Sequence, residues 1–404
     1  MRPFVLALTL VFTPGVFAAA DEAILGKAEG YPVCKLPVGG PLEQRCLVGM
    51  LSHYDQVVPA RRVAKAPAPR ALKAVPQQPN IAYTWRGQPD TVESFLARSR
   101  NTGLLVMQGD TVLVERYQYD RKPEHRFQSF SMAKTVVAML VGIALHEGKM
   151  KSVDQKAEEF VPQLRGHPYG ETSLRHLLTM SSGVKFREDY DGRDDVAVLA
   201  RKTLYQAGPG GADTVASFAA RERPAGEKFY YASGETQVLG LVLRAATGKT
   251  LADYLAEKIW QPMGAEADAT WLMDAGGYET GYMGLNATLR DWGRLGMLLA
   301  HDGMLDGRQI IPAEWVRAAT TAEAPHLRVG TATQYNGYGY QTWLIHPTER
   351  MFALLGVRGQ AVMIDPKSKV VVVHTAVQET ARGSPLRGEQ FGLFFGVVNS
   401  LKNH

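Results

Sequence analysis

Ser129-Phe130-Ser131-Met132-Ala133-Lys134-Thr135, continued by an apolar run over 136–145 and closed by Glu147-Gly148, is the stretch around which the chain is read. Phe130, Ala133, Val137, Leu140, Val141 and Ala144 recur at spacings of three and four, the period of a helix buried over most of its surface. Gly148 supplies the stop signal. Ser131 and Lys134 stand three apart and share a face in the first turn. A helix start presents unpaired N–H groups and a partial positive charge. A lysine buried beside a serine there has a depressed pKa and can take the serine proton. Both residues are common, and an N-capping serine with a solvated lysine is the ordinary explanation of such a pair. An otherwise apolar helix and partners elsewhere in the chain give the pair its weight.

Of 404 residues, 45% are apolar and 21% charged, an ordinary globular balance. The length allows one large domain or two lobes. Residues 1–20 carry Arg2, an apolar core over 4–17 and the small residues Ala18-Ala19-Ala20, the pattern of a secretory signal. Pro14 and the shortness of the run argue against a membrane anchor, and no later stretch is long and apolar enough to span a bilayer. The expectation is a periplasmic or secreted protein without stable membrane insertion. The two cysteines, Cys34 and Cys46, are expected to pair in an oxidising compartment, since a metal pair lacks nearby histidines.

The net charge of +5 is unevenly placed. Between Gln56 and Pro89 there is no acid, but there are Arg61, Arg62, Lys65, Arg70, Lys73 and Arg86, with Pro59, Pro67, Pro69, Pro76 and Pro79 among them. This composition predicts an extended, solvated arm or linker; a basic contact to an anionic surface is the alternative. No aromatic is interleaved before Tyr83, which argues against nucleic acid, as does export.

From residue 81 the pattern becomes globular. Residues 103–107 and 111–117, joined by Gln108-Gly109-Asp110, read as a β-hairpin. The middle third holds helical patterns: 175–183 ending in a glycine turn, 236–247 and 251–259 broken at Gly248, and 287–300 ending at Gly303. The acid–arginine cluster 187–195 reads as a solvated loop, with the lining of a cleft as the alternative. Short β-rich segments return at 339–345, 351–355, 360–364 and 369–375, and a final helix covers 388–401. The predicted fold is α/β (α+β): one antiparallel sheet built from both chain ends, flanked by helices, with an inserted mainly helical lobe. The expected organisation is a signal over 1–20, an N-terminal extension with a basic Pro-rich linker over 21–80, and one domain over 81–404. Within that domain the α/β lobe takes 81–130 and 290–404, and the helical lobe 131–289.

Phe229-Tyr230-Tyr231-Ala232-Ser233-Gly234 stands just before one of the predicted helices. A tyrosine at such a junction is ordinarily a packed aromatic. A serine nucleophile with a lysine partner, however, needs a second relay to return a proton to the leaving group. Tyrosine can do this if nearby positive charge lowers its pKa from about 10. Ser233 has the hydroxyl to hydrogen-bond Lys134.

Together these residues resemble the serine β-lactamase and penicillin-binding-protein superfamily. The likeness is to the class C-like branch, which includes esterases, D-amino-acid peptidases and 6-aminohexanoate-dimer hydrolases. It covers residues 81–404. Ser131-Met132-Ala133-Lys134 matches the first family motif. Tyr231-Ala232-Ser233 matches the second, with Tyr231 favoured over Tyr230 by its distance from Val238-Leu239-Gly240. Arg175 to Gly183 and Asp291-Trp292-Gly293-Arg294-Leu295-Gly296 are similar to two further signatures. The resemblance implies that Ser131 is acylated, that Lys134 activates it and that Tyr231 shuttles the proton. It also implies an oxyanion hole made by the Ser131 N–H and one N–H near the third motif, and no metal or organic cofactor.

The third motif departs from the family, which often has Lys-Thr-Gly or His-Thr-Gly. Here the stretch is Leu354-Leu355-Gly356-Val357-Arg358-Gly359-Gln360. One register makes Val357 N–H the second oxyanion donor; a shifted register uses Gln360. Arg358 either replaces the missing lysine's charge on the substrate or points to solvent. Competing motifs are poor: 179–183 lacks the first glycine of a nucleophile elbow, and there is no His-Glu-x-x-His or P-loop. The implied activity is hydrolysis of an ester or amide of small-molecule size through an acyl-enzyme. A β-lactamase or D-Ala-D-Ala-type peptidase is the alternative enzyme, and a non-catalytic ligand-binding protein of the same fold the alternative class.

Overall fold

A computed structural model describes residues 19–36, 42–79 and 81–402. Residues 1–18, most of the expected signal, lie outside the described residues. The central sheet has eight strands, built from both ends of the chain. In spatial order they are Gly337–Tyr338, Trp343–Leu344, Phe352–Gly356, Gln360–Asp365, Val370–Ala376, Asn101–Gln108, Thr111–Tyr117 and Lys73–Ala74. All neighbours are antiparallel except the last pair. The β-rich segments predicted at both chain ends thus join at the centre, where Val371 faces Met107 and Val373 faces Leu105.

Side chains alternate across the sheet and divide its core in two. Leu105, Met107, Leu354, Val362, Val371 and Val373 turn to one side. There they meet Leu295, Leu298 and Leu299 of the Leu289–Ala300 helix. Leu104, Val106, Leu355, Met363 and Val372 turn to the other, against Leu393, Phe394 and Val397 of the C-terminal helix Leu386–Lys402. That helix also packs beneath the hairpin Ala82–Trp85/Gln88–Thr91, closely enough that a Cβ on Gly396 would lie 2.2 Å from the Tyr83 Cβ.

The basic, proline-rich stretch is not the solvated arm its composition predicts. Ala60–Val63 pairs antiparallel with Ala269–Leu272, and Lys73–Ala74 extends the central sheet. The acids missing locally are supplied by other elements: Arg61 meets Glu279 at 2.9 Å, Arg62 meets Asp268 at 2.7 Å, Arg70 meets Asp306 at 2.9 Å and Lys73 meets Asp110 at 3.1 Å. Such pairs contribute about 1 kcal/mol or less each at a surface, so strand pairing and the burial of Val63 and Ala66 do most of the holding. Upstream, the helix Leu47–Ser52 is buried throughout, and Cys46 is bonded to Cys34.

The helix Met132–His146 is buried from Met132 to Ala144. It packs against the helix Ser233–Thr247 and the strand Phe352–Gly356. On its far side Gly142 lets the Trp315 ring lie flat against the backbone: a Cβ there would stand 2.1 Å from the indole, whose Nε1 donates to the Ala138 carbonyl at 2.9 Å. Gly142→Ala is expected to lower stability by about 1–3 kcal/mol, read by denaturant unfolding, and Trp315→Leu in the same background to recover part of the loss. Unchanged stability in Gly142→Ala would mean that the indole does not pack there.

Candidate active site

The turn entering the Met132–His146 helix is tied to the strand Leu285–Ala287. Phe127–Gln128 pairs with Leu285–Ala287 in a smaller four-stranded sheet. Ser129 N–H donates to the Leu285 carbonyl at 2.9 Å, and its hydroxyl accepts from Leu285 N–H at 3.1 Å. Phe130 is then forced to φ 43°, a conformation side chains rarely adopt. The strained turn leaves Ser131 at the N-cap position, yet its side chain makes no capping hydrogen bond. The hydroxyl is therefore free for Lys134.

Lys134 donates to three oxygens: Ser131 Oγ at 2.9 Å, Ser233 Oγ at 3.1 Å and the Tyr282 carbonyl at 3.0 Å. The ring faces of Tyr231 and Tyr282 flank the amine, with centroids 5.0 and 5.6 Å away. Burial pushes this amine from 10.5 down to about 8, against the opposing pull of Glu188. An amine so shifted is a fraction neutral near pH 7, which an exposed lysine is not.

Tyr231 stacks on Trp343, with ring centroids 5.3 Å apart, and its phenol is near enough to Ser131 for that side chain to pull its pKa down. Positive charge from Arg382 and Arg387 does pull its pKa down, as the relay requires, but does not bring it below the ordinary phenol value. Burial and the charge of Glu188 push it up, and they outweigh the pull of Ser131 and of the two arginines. Tyr231 is thus a neutral phenol near neutrality. Tyr230 points away, 38% exposed, with Arg223 over its ring.

Glu188 ties these groups together. Its Oε2 accepts the Ser233 N–H at 2.7 Å, at the positive start of the Ser233–Thr247 helix. Its Oε1 accepts the Ser233 hydroxyl at 2.9 Å and the Tyr190 hydroxyl at 2.6 Å. Ser233 therefore donates to Glu188 and accepts from Lys134, which fixes the amine's position.

The third motif is the turn Val357–Gly359 after the strand Phe352–Gly356. A Cβ on Gly356 would come within 2.5 Å of the Ser129 carbonyl, so only glycine lets this strand lie against the Ser131 turn. Among the described residues neither Ser131 N–H nor Val357 N–H donates to another protein group. Gln360 opens the next strand, where its backbone pairs with Gly356, and its side-chain Nε2 donates to the Ala376 carbonyl at 2.6 Å. Arg358, expected toward substrate or solvent, does neither. With φ 59° it turns its guanidinium to the carbonyls of Gln378 and Glu379, at 2.8 and 2.6 Å. The arginine beside the site is instead Arg387, whose Nη1 donates to the Gly356 carbonyl at 3.1 Å.

Sequence reasoning misses Glu188, Tyr190, Trp343 and Arg387. Glu188 sits inside the charged 187–195 cluster, where no local pattern separates one buried carboxylate from its solvated neighbours. Arg387 opens a helix and reads as an ordinary exposed cation.

A model of the Beta-lactamase family matches residues 90–385. The 6-aminohexanoate-dimer hydrolase of Paenarthrobacter ureafaciens is 26% identical over 321 residues, 78% of this chain and 81% of that one. A Bacillus anthracis protein classed with the 6-aminohexanoate-dimer hydrolases has a similar fold, with a TM-score of 0.81 at 23% identity over 92% of this chain and 97% of its own. A family VIII carboxylesterase is more distant, with a TM-score of 0.57 at 17% identity over 75% and 93% of the two chains. The family match spans most of the chain, and the fold agrees with it: this protein belongs to the Beta-lactamase family, within the serine β-lactamase and penicillin-binding-protein superfamily.

Proposed function

We propose that this enzyme is an exported serine hydrolase that cleaves an ester or amide through an acyl-enzyme on Ser131. The observation that carries the reading is the Lys134 amine, buried, 2.9 Å from the Ser131 hydroxyl and with its pKa depressed to about 8. Neutral Lys134 takes the Ser131 proton, directly or through the Tyr231 phenol, as the oxygen attacks the substrate carbonyl. Ser131 N–H and Val357 N–H receive the developing oxyanion. The tetrahedral intermediate expels an alcohol or amine, which takes a proton from Tyr231 as Tyr231 is refilled from Lys134. A water molecule then attacks the acyl carbonyl and gives a proton to the relay; the bond to Ser131 Oγ breaks, Ser131 takes that proton back from the relay, and the acid leaves. Ser233 holds the amine throughout. Amide cleavage is supported by the relationship to a 6-aminohexanoate-dimer hydrolase, and ester cleavage by the fold shared with a carboxylesterase. Residues 1–20 and the Cys34–Cys46 bond support a periplasmic or secreted location.

Ser131→Ala is expected to lower kcat at least about 10³-fold and to abolish labelling by a fluorophosphonate. Its thermal midpoint should fall only slightly, because the hydroxyl caps nothing and the Lys134 amine keeps the Ser233 hydroxyl and the Tyr282 carbonyl. Retained turnover would assign the nucleophile elsewhere. A panel of short-chain esters, amides and penicillins, read by mass spectrometry of the trapped adduct, separates the ester/amide reading from a lactamase or peptidase.

Because the working base is the neutral amine, kcat/KM should rise with pH through about 8 and level off above it. A plateau already reached at pH 6 would exclude Lys134 as the titrating base. Tyr231→Phe should cost about 10²–10⁴-fold in kcat, the usual worth of a general acid–base group. Near-normal turnover would mean that Lys134 passes the proton alone.

A further inference from the structure

The three oxygens around the Lys134 amine are not chemically alike. The Tyr282 carbonyl, at 3.0 Å, can only accept a hydrogen bond. The Ser131 and Ser233 hydroxyls, at 2.9 and 3.1 Å, can each accept or donate. An ammonium gives a proton to all three. The neutral amine has two N–H groups and one lone pair, so one of the three partners must turn round and donate. Tyr282 cannot. If Ser131 donates, the lone pair meets the proton that has to be removed. If Ser233 donates, the lone pair is occupied by the wrong hydroxyl and the base is idle.

Glu188 decides between the two. The Ser233 hydroxyl has a single proton, and Glu188 Oε1 accepts it at 2.9 Å. A hydrogen bond to a carboxylate is roughly twice as strong as one between neutral groups, so Ser233 Oγ faces Lys134 with lone pairs alone. The carboxyl is itself pinned. Its Oε2 accepts the Ser233 N–H at 2.7 Å, and Oε1 also accepts the Tyr190 hydroxyl at 2.6 Å. Every one of these bonds is received and none is given, the pattern of an ionised carboxyl. Glu188 is buried, and among the described residues it forms no ion pair, with Lys134 or with any arginine. Its bonded route to the amine runs through the Ser233 hydroxyl.

Resting on the assignment of Ser131 as nucleophile and Lys134 as base, we propose that Glu188 is a positioning residue that sets the direction of the base. By holding the Ser233 proton it leaves Ser131 as the one partner able to donate to the neutral amine. The Lys134 lone pair is thereby aimed at the nucleophile. As Ser131 Oγ attacks the carbonyl carbon, its proton passes to Lys134 Nζ, and Glu188 neither gains nor loses a proton.

Glu188→Gln tests this in the full-length protein, because the amide keeps the shape and adds a donor. With its carbonyl on the Ser233 N–H, its NH2 group donates to Ser233 Oγ. The Ser233 proton then has to turn to Lys134 and occupies the lone pair. For 4-nitrophenyl butyrate, kcat should fall about 10²-fold with KM little changed, and fluorophosphonate labelling of Ser131 should slow in parallel. Ser233→Ala has no competing proton and should lose less. The double variant Glu188→Gln/Ser233→Ala should therefore recover to the level of Ser233→Ala, a rescue that damaged packing would not give. The charges acting on the amine are Glu188, which raises its pKa, and Arg382, which lowers it, with the Tyr231 and Tyr282 rings against it. Removing the Glu188 charge should move the rising limb of kcat/KM to lower pH in both the single and the double variant, while the double variant alone regains plateau height.

Full kcat in Glu188→Gln, or a double variant no faster than Glu188→Gln, overturns the proposal. Should Glu188→Gln fail to fold, Ser233→Ala against Lys134→Ala carries the test. A loss in Ser233→Ala as deep as in Lys134→Ala would put the hydroxyl itself in the proton path and overturns the proposal; a much smaller loss supports it. Turnover persisting in Ser131→Ala sinks the nucleophile assignment. An inert Ser131→Ala together with no rescue in the double variant sinks the role of Glu188 alone.

Discussion

The site depends on one costly placement: a lysine amine taken out of water and set against a serine hydroxyl. Burying a cation is unfavourable unless its donors are satisfied or its proton is released. Here both remedies operate. Three oxygens surround the Lys134 amine, and its affinity for the proton is reduced. The rest of the architecture serves this placement. The apolar helix supplies the burial, the Ser233–Thr247 helix brings the second hydroxyl, and the loop before the smaller sheet's last strand brings the Tyr282 carbonyl.

Burial acts in opposite directions on Lys134 and Tyr231, whereas the charge of Glu188 raises both and that of Arg382 lowers both. Lys134 is moved down toward the working range, while Tyr231 is moved further above it. The same desolvation does both, because it disfavours the ammonium in one case and the phenolate in the other. In the proposed relay, Lys134 is then the resting base and Tyr231 the neutral conduit.

Much of the fold was legible from periodicity. The paired strands around Gly109, the long apolar helix and the late run of strands all follow from period-two and period-three-to-four patterns. What stayed hidden was non-local. The Ala60–Val63 strand has no apolar alternation of its own and becomes a strand because Ala269–Leu272 offers an edge. The charges that neutralise it sit some two hundred residues further along. Within the site, Ser131, Lys134, Tyr231 and Ser233 were legible because short spacings and a family resemblance mark them. Glu188 and Arg387 carry no such marks, and Arg358, the arginine that seemed placed for substrate by its position in the motif, is consumed by backbone carbonyls of the next loop. A residue's register in a turn does not tell where a long side chain ends.

The C-terminal helix carries Arg387 at one end and meets the aromatic hairpin along its length, where Gly388 and Gly392 face Trp85 and Gly396 faces Tyr83. These hydrogen-only positions set how deeply the rod sinks toward the sheet. The depth of a remote packing seam therefore sets where the Arg387 guanidinium meets the Gly356 carbonyl, next to the turn that carries Ser131. Variation at this outer seam has a mechanical route to the strand that ends at Gly356.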